Sequence, residues 1–217
     1  MSYPPSRVLG YDIREASFEE TLILPRQYRE TFLFRSDVAY PLSIDTHIWP
    51  SIFAYPGVTS EHLSPRIPAP DCEGHLWSLF ETMMRRATSA KGIAIAIELF
   101  ISEDATVDLY PSPLIYSPAT PNVLPDTAID LGYDVADAGF WSGLSNMGFD
   151  NQELAQLRPK WAPKVNANGL IREKEYAFEF RQVSDSRVPE HAPFWVYRLL
   201  ALETKVGDTI IPSWPKR

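Results

Sequence analysis

The nine residues Ile93–Ile101 (IAIAIELFI) form a nearly continuous apolar run rich in β-branched side chains. A run of that length suits a strand buried on both faces, because an alternating strand with one wet face would show polar residues at every second position. The chain must therefore cover both sides of a sheet. Glu98 is the single charge in the run, and a buried carboxylate has to be paired or protonated.

Other segments supply the cover. Arg7–Ile13 (RVLGYDI), Glu20–Leu24, Thr31–Tyr40 and Leu42–Trp49 read as strands, punctuated by Pro25, Pro41 and Pro50. Such punctuation favours antiparallel strands with short connections. Glu73–Thr88 reads as a helix with Leu76, Leu79, Phe80, Met83 and Ala87 on one stripe. Thr106–Tyr110 and Leu114–Tyr116 read as further strands, residues 55–70 and 117–127 as proline-rich loops, Glu173–Ser186 as a helix and Phe194–Leu202 as a long final strand. Strands come early and helices are interleaved later. The expected class is α+β: a mixed, mainly antiparallel sheet with three or four helices packed on it, in one domain spanning residues 1–217.

Between these lies the stretch from Asp126 to Trp161. Ile129, Leu131, Tyr133 and Val135 share one parity, which predicts a half-buried strand. Asp130 and Asp134 fall on the other parity and should face water or a partner. Asp137 is placed to cap a short helix whose apolar face is Phe140, Trp141, Leu144 and Met147, with Gly148 as its stop. Asp150 and Glu153 have the spacing of a capping box for a second helix. Pro159 should end or kink that helix near Leu157.

LGYD occurs twice, at Leu9–Asp12 and Leu131–Asp134, each time followed by Ile or Val. The flanks do not align, so a distant duplication and a chance repeat both stay open at this level.

Charge is unevenly laid out within a net −8. Residues 1–70 carry −2, residues 71–157 carry −10 and residues 158–217 carry +4, and no Lys, Arg or His lies between Lys91 and Arg158. The carboxylates either pair with the basic C-terminal segment or form an acidic face that steers a basic protein partner. The same balance disfavours nucleic acid as a ligand.

No stretch spells out a catalytic motif. The four histidines show no metal-ligand spacing, and Cys72 with His75 lacks a second pair of ligands. GFWSGLS is not a nucleophile elbow, and no glycine-rich phosphate loop occurs. No catalytic residue, metal or cofactor is expected. The single cysteine rules out an intrachain disulfide. No apolar run of membrane-spanning or signal-peptide length appears, so the expected location is the cytoplasm, without membrane contact.

The segment LGYDVADAGFWSGLSNMGF (131–149), followed by ELAQLRPKWAPKVN (153–166) and VPEHAPFWVYRL (188–199), resembles a group of bacterial immunity proteins. These are encoded beside polymorphic or contact-dependent growth inhibition toxins. The resemblance implies a non-enzymatic inhibitor, a monomer or weak homodimer, that binds the toxic domain of its own lineage, often a nuclease with a basic surface. Asp130, Asp134 and Asp137 are the expected partner-binding residues, with Trp141 as an aromatic anchor beside them. The alternative is a small carboxylate- or metal-dependent hydrolase using the same acidic cluster.

Overall fold

The computed structural model describes residues 5–15, 42–46, 48–49, 51, 66–68, 75–77, 80–86, 92–101, 124, 127–144, 149–202, 204–206 and 209–211. In chain order its elements are β1 (Ser6–Glu15), β2 (Arg66–Pro68), β3 (His75–Trp77), α1 (Phe80–Arg86), β4 (Gly92–Phe100), β5 (Ile129–Ala136), α2 (Asn151–Trp161), α3 (Lys174–Arg187), β6 (Trp195–Ala201), β7 (Thr204–Val206) and β8 (Thr209–Ile211).

All nine residues of β4 are buried, as the apolar run requires. The strand lies inside a six-stranded sheet of order β2-β3-β1-β4-β6-β5, and β7 and β8 form a separate ribbon. Every pairing among the described residues is antiparallel. The class is α+β, without the parallel component that a mixed sheet would have.

The side chains of β4 alternate between two covers. Ile93, Ile95, Ile97 and Leu99 pack with Trp195, Tyr197 and Leu199 of β6 and with Leu42, Ile44 and Trp49. Ala94 and Ala96 face the other way, against Tyr11, Ile13, Trp77 and Met83 of α1. Farther along that second face, Val135 and Val196 pack under α2 and α3 through Leu154, Trp161, Ala177 and Phe180. Each fully buried aliphatic side chain contributes about 1.5–3 kcal/mol, so this double cover is the main source of stability.

Several expectations need correction. Among the described residues of the expected helix, His75–Trp77 is a strand and Phe80–Arg86 is helical. Leu76 and Trp77 enter opposite cores, and pairing with β1 and β2 satisfies both, which a one-faced helix could not do. Leu42–Trp49 is an irregular strap across the sheet, not a strand. The expected helix at 140–147 is a turn as far as Leu144. Among the described residues two helices, α2 and α3, carry most of the helical cover, with the short α1 beside them. The expected strands at 20–24, 31–40, 106–110 and 114–116 lie outside the described residues.

Helix α2 runs through Pro159 to Trp161. Proline there removes a hydrogen bond to the Ala155 carbonyl, but Ala155 is exposed and water can take its place. The helix is carried onward by Trp161, fully buried and packed edge-on to Phe180 at 5.0 Å. Its start is the expected capping box. Asp150 accepts from the N–H groups of Gln152 (2.8 Å) and Glu153 (2.9 Å), and Glu153 accepts from the Asp150 N–H at 2.9 Å. Replacing Asp150 by alanine should cost about 1 kcal/mol, read as a lower denaturation midpoint with unchanged slope.

The two LGYD copies occupy equivalent places. In β1 the register steps from Val8↔Glu98 to Gly10↔Ile97, which leaves Leu9 as a bulge residue. In β5 it steps from Asp130↔Leu200 to Gly132↔Leu199, which leaves Leu131. Tyr11 then pairs Ala96 and Asp12 pairs Ile95, as Tyr133 pairs Arg198 and Asp134 pairs Tyr197. Because Ile97 pairs Leu199, a two-fold rotation normal to the sheet at that pair exchanges β1 with β5 and β4 with β6.

Candidate functional site

The four residues expected to meet a partner do not form one cluster. Asp130 is exposed, at the start of β5. One of its oxygens accepts from Arg198 Nε (3.0 Å) and Nη2 (2.8 Å), and the other accepts from the Gly132 N–H at 2.9 Å. Arg198 also reaches Glu98 at 3.4 Å, and Ser6 donates to Glu98 at 2.6 Å. This is how the single charge of the central strand is paired.

Asp134 does not face water. It is fully buried. The bulge at Leu131 resets the alternation, so a residue on the solvent parity by count turns inward opposite Tyr197. Its Oδ2 accepts from the Ser43 hydroxyl (2.6 Å) and the Ile44 N–H (3.0 Å). Its Oδ1 accepts from the Ser142 hydroxyl (2.6 Å) and the Val135 N–H (2.8 Å). Burial pushes its carboxyl above the ordinary value, and the four donors oppose that shift. Asp134 is thus an anchor for the strap, out of reach of a partner.

Asp12, its counterpart, is also fully buried and raised by burial, opposed first by Arg14. It accepts from the Ser51 hydroxyl at 2.7 Å and pairs with Arg14 Nε at 2.7 Å. Arg14 in turn donates to the carbonyls of Trp49 (2.5 Å) and Ile44 (3.0 Å). The strap of residues 42–51 is therefore held at one end by Asp134 and at the other by Asp12 and Arg14.

Asp137 and Trp141 come together at the far end of β5, in a corner that also includes His191. Asp137 Oδ1 accepts from the N–H groups of Gly139 and Trp141, both at 2.9 Å, so it caps a tight turn in place of the expected helix. Its Oδ2 lies 2.9 Å from His191 Nδ1. The Tyr197 hydroxyl donates to the Asp137 carbonyl at 3.1 Å. Phe140 is driven inward as a plug, edge-on to Tyr197 at 5.5 Å. Its φ of +66° is costly for a bulky side chain, of order 1–3 kcal/mol. Trp141, next in the chain, is left outside. It is 39% exposed and stacks on the His191 ring at 5.8 Å between centroids.

Chemically the corner offers a fixed aromatic face, an imidazole oriented by a carboxylate, and a second polar edge at Asp137. The three aspartates expected to converge lie apart: one at the wet end of β5, one in the core, one in the corner. Among the described residues no group of three or more His, Cys, Asp or Glu side chains could hold a metal ion. Sequence reading missed His191, which sits 54 positions from Asp137. Its only local signal was a histidine between two prolines in PEHAP, and that motif does not name a distant partner. Among the described residues no helix is long and apolar enough to cross a membrane.

Compared with protein-family models, with curated proteins and with solved structures, the chain matches none.

Proposed function

We propose that the chain is an immunity protein: a non-catalytic inhibitor that binds a cognate bacterial toxin domain with a basic, nuclease-type surface. The observation that carries this reading is Trp141, a large aromatic stacked on His191 while 39% exposed. An ordered tryptophan at the surface loses little conformational entropy on binding and is the residue type most often found as an interface anchor. The strained Phe140 beside it supports the reading, since strain of this kind concentrates at ligand-contacting sites. The charge layout supports it as well: residues 71–157 carry −10, and a field of that sign favours encounter with a basic partner.

The contact set is revised accordingly. Trp141 with the edge of Asp137 forms the anchor, Asp130 lies outside it at the opposite end of β5, and Asp134 acts only through the strap. The reading places the protein in the cytoplasm of the producing cell, as a monomer or weak homodimer. Trp141→Ala should weaken binding to the toxin domain by roughly 30-fold, mostly through faster dissociation, measured by surface plasmon resonance. Equal dissociation rates for the variant and the parent chain would remove Trp141 from the interface.

A second reading rests on the Asp137–His191 pair. A carboxylate that orients a half-exposed imidazole is the base half of a hydrolase site. That reading predicts turnover abolished in His191→Ala, whereas the inhibitor reading predicts no turnover to abolish.

A further inference from the structure

We infer that the chain is a fusion of two copies of one unit, that the fold rests on an equivalent latch in each copy, and that the Trp141–His191 stack of the second copy has no structural duty. Three independent layers of correspondence support the duplication. The first is the register: both LGYD copies place leucine in a bulge, glycine at the Ile97–Leu199 pair that marks the axis, and aspartate two positions farther on. The second is hydrogen bonding. Each aspartate accepts from the next residue's N–H, Ile13 or Val135, at 2.8 Å. Each also accepts a serine hydroxyl on the same oxygen, from Ser51 at 2.7 Å and from Ser142 at 2.6 Å. Each serine forms a backbone bridge to the residue two beyond its aspartate, Arg14 or Ala136.

The third layer is chain order. Strand β1, latch serine, helix α1 and returning strand β4 are matched by strand β5, latch serine, helices α2 and α3 and returning strand β6, the first copy carrying the short strands β2 and β3 between its serine and its helix. Just ahead of each latch serine stands an aromatic plug, Trp49 or Phe140, and both are buried in the same core. A tetrapeptide coincidence would not reproduce the bulge, the bridge and the hydroxyl donor together.

The comparison separates what the unit needs from what one copy acquired. Both copies keep the aspartate, the serine and the plug. The residue directly before the latch serine is Pro50 in the first copy and Trp141 in the second. A tryptophan there is not a requirement of the latch. On the partner-binding reading given above, on which this last step rests, His191 joins Trp141 as a contact residue.

The test is the thermal midpoint of four single variants of the full chain. Ser51→Ala and Ser142→Ala should each lower it by about 4–8 °C, matched to within about 2 °C. Trp141→Ala and His191→Ala should each lower it by no more than about 3 °C. A silent or severalfold smaller effect at one of the two serines would show that the latches are not equivalent. A loss at Trp141 or His191 as large as at the serines would show that the corner is structural. Because no partner enters the measurement, failure of the toxin reading leaves its result unchanged.

Discussion

Replacing Asp134 by alanine should lower stability by about 4 kcal/mol and the thermal midpoint by about 8–16 °C. The substitution removes one carboxylate and strands four buried donors: the hydroxyls of Ser43 and Ser142 and the N–H groups of Ile44 and Val135. Each unsatisfied buried donor costs about 1–3 kcal/mol, and the hydroxyls recover part of this by rotating, so the total falls short of the sum. Asp134→Asn should cost about 2 kcal/mol, because its amide can accept at one site only and must present N–H to a backbone N–H at the other.

The same pair of proteins carries a pH signature. Burial raises the Asp134 carboxyl above its ordinary 3.8. Below that value the group is protonated in both the folded and the unfolded chain. As pH rises from there through the raised folded value, the unfolded chain releases its proton first, and stability falls. Asp134→Asn removes this contribution, so its stability should decline less steeply with pH over that window than that of the parent chain, as followed by urea denaturation.

Gly132→Ala should be nearly as damaging, at about 3 kcal/mol, measured by the same denaturation. Gly132 has φ +123°, a region that side chains rarely adopt, and an added Cβ would lie 2.8 Å from Asn166 Nδ2, 2.8 Å from Leu170 Cβ and 2.9 Å from the Ile171 carbonyl oxygen. Those neighbours are not free to retreat. Tyr133 and Ile171 exchange backbone hydrogen bonds in both directions, at 2.8 and 2.9 Å. Asn166 Nδ2 donates to the Leu131 carbonyl, closing the bulge at 2.7 Å. The close approach of residues 166–171 to β5 is therefore what requires glycine here.

Much of the fold was legible because its signals are local. The apolar run of β4, the strand β6, the apolar stripe of α3 and the Asp150–Glu153 box each follow from residues within one element. What sequence could not supply was pairing across distance. Leu76 and Trp77 fit a helical stripe as well as a strand, and only the waiting edge of β1 decides between them. The bulge at Leu131 is invisible to a count of alternating residues, and it turns Asp134 to the face that the strap covers. The duplication was legible only as a tetrapeptide, because the serines that complete it stand 39 and 8 positions beyond their aspartates.

The candidate site divides in the same way. Asp137 was recognisable as a cap, since a carboxylate before a turn finds backbone N–H groups wherever that turn leads. Trp141 was recognisable as an anchor only in name, because the helix proposed to carry it does not form. Its exposure comes from Phe140, which takes the buried place and holds a positive φ to do so. His191 arrives in the connection between α3 and β6, and the pairing of β6 with β5 brings it to Asp137.

The central claim is tested most directly in living cells. A tagged copy of the chain is purified at moderate salt from the bacterium that encodes it, the proteins retained in stoichiometric amount are identified, and each is expressed alone and together with this chain. The account predicts a basic toxin domain that arrests growth alone and is harmless when the chain is co-expressed, with protection weakened by Trp141→Ala. Retention of no such domain from cells that express the neighbouring genes, or growth arrest undiminished by the chain, would contradict it.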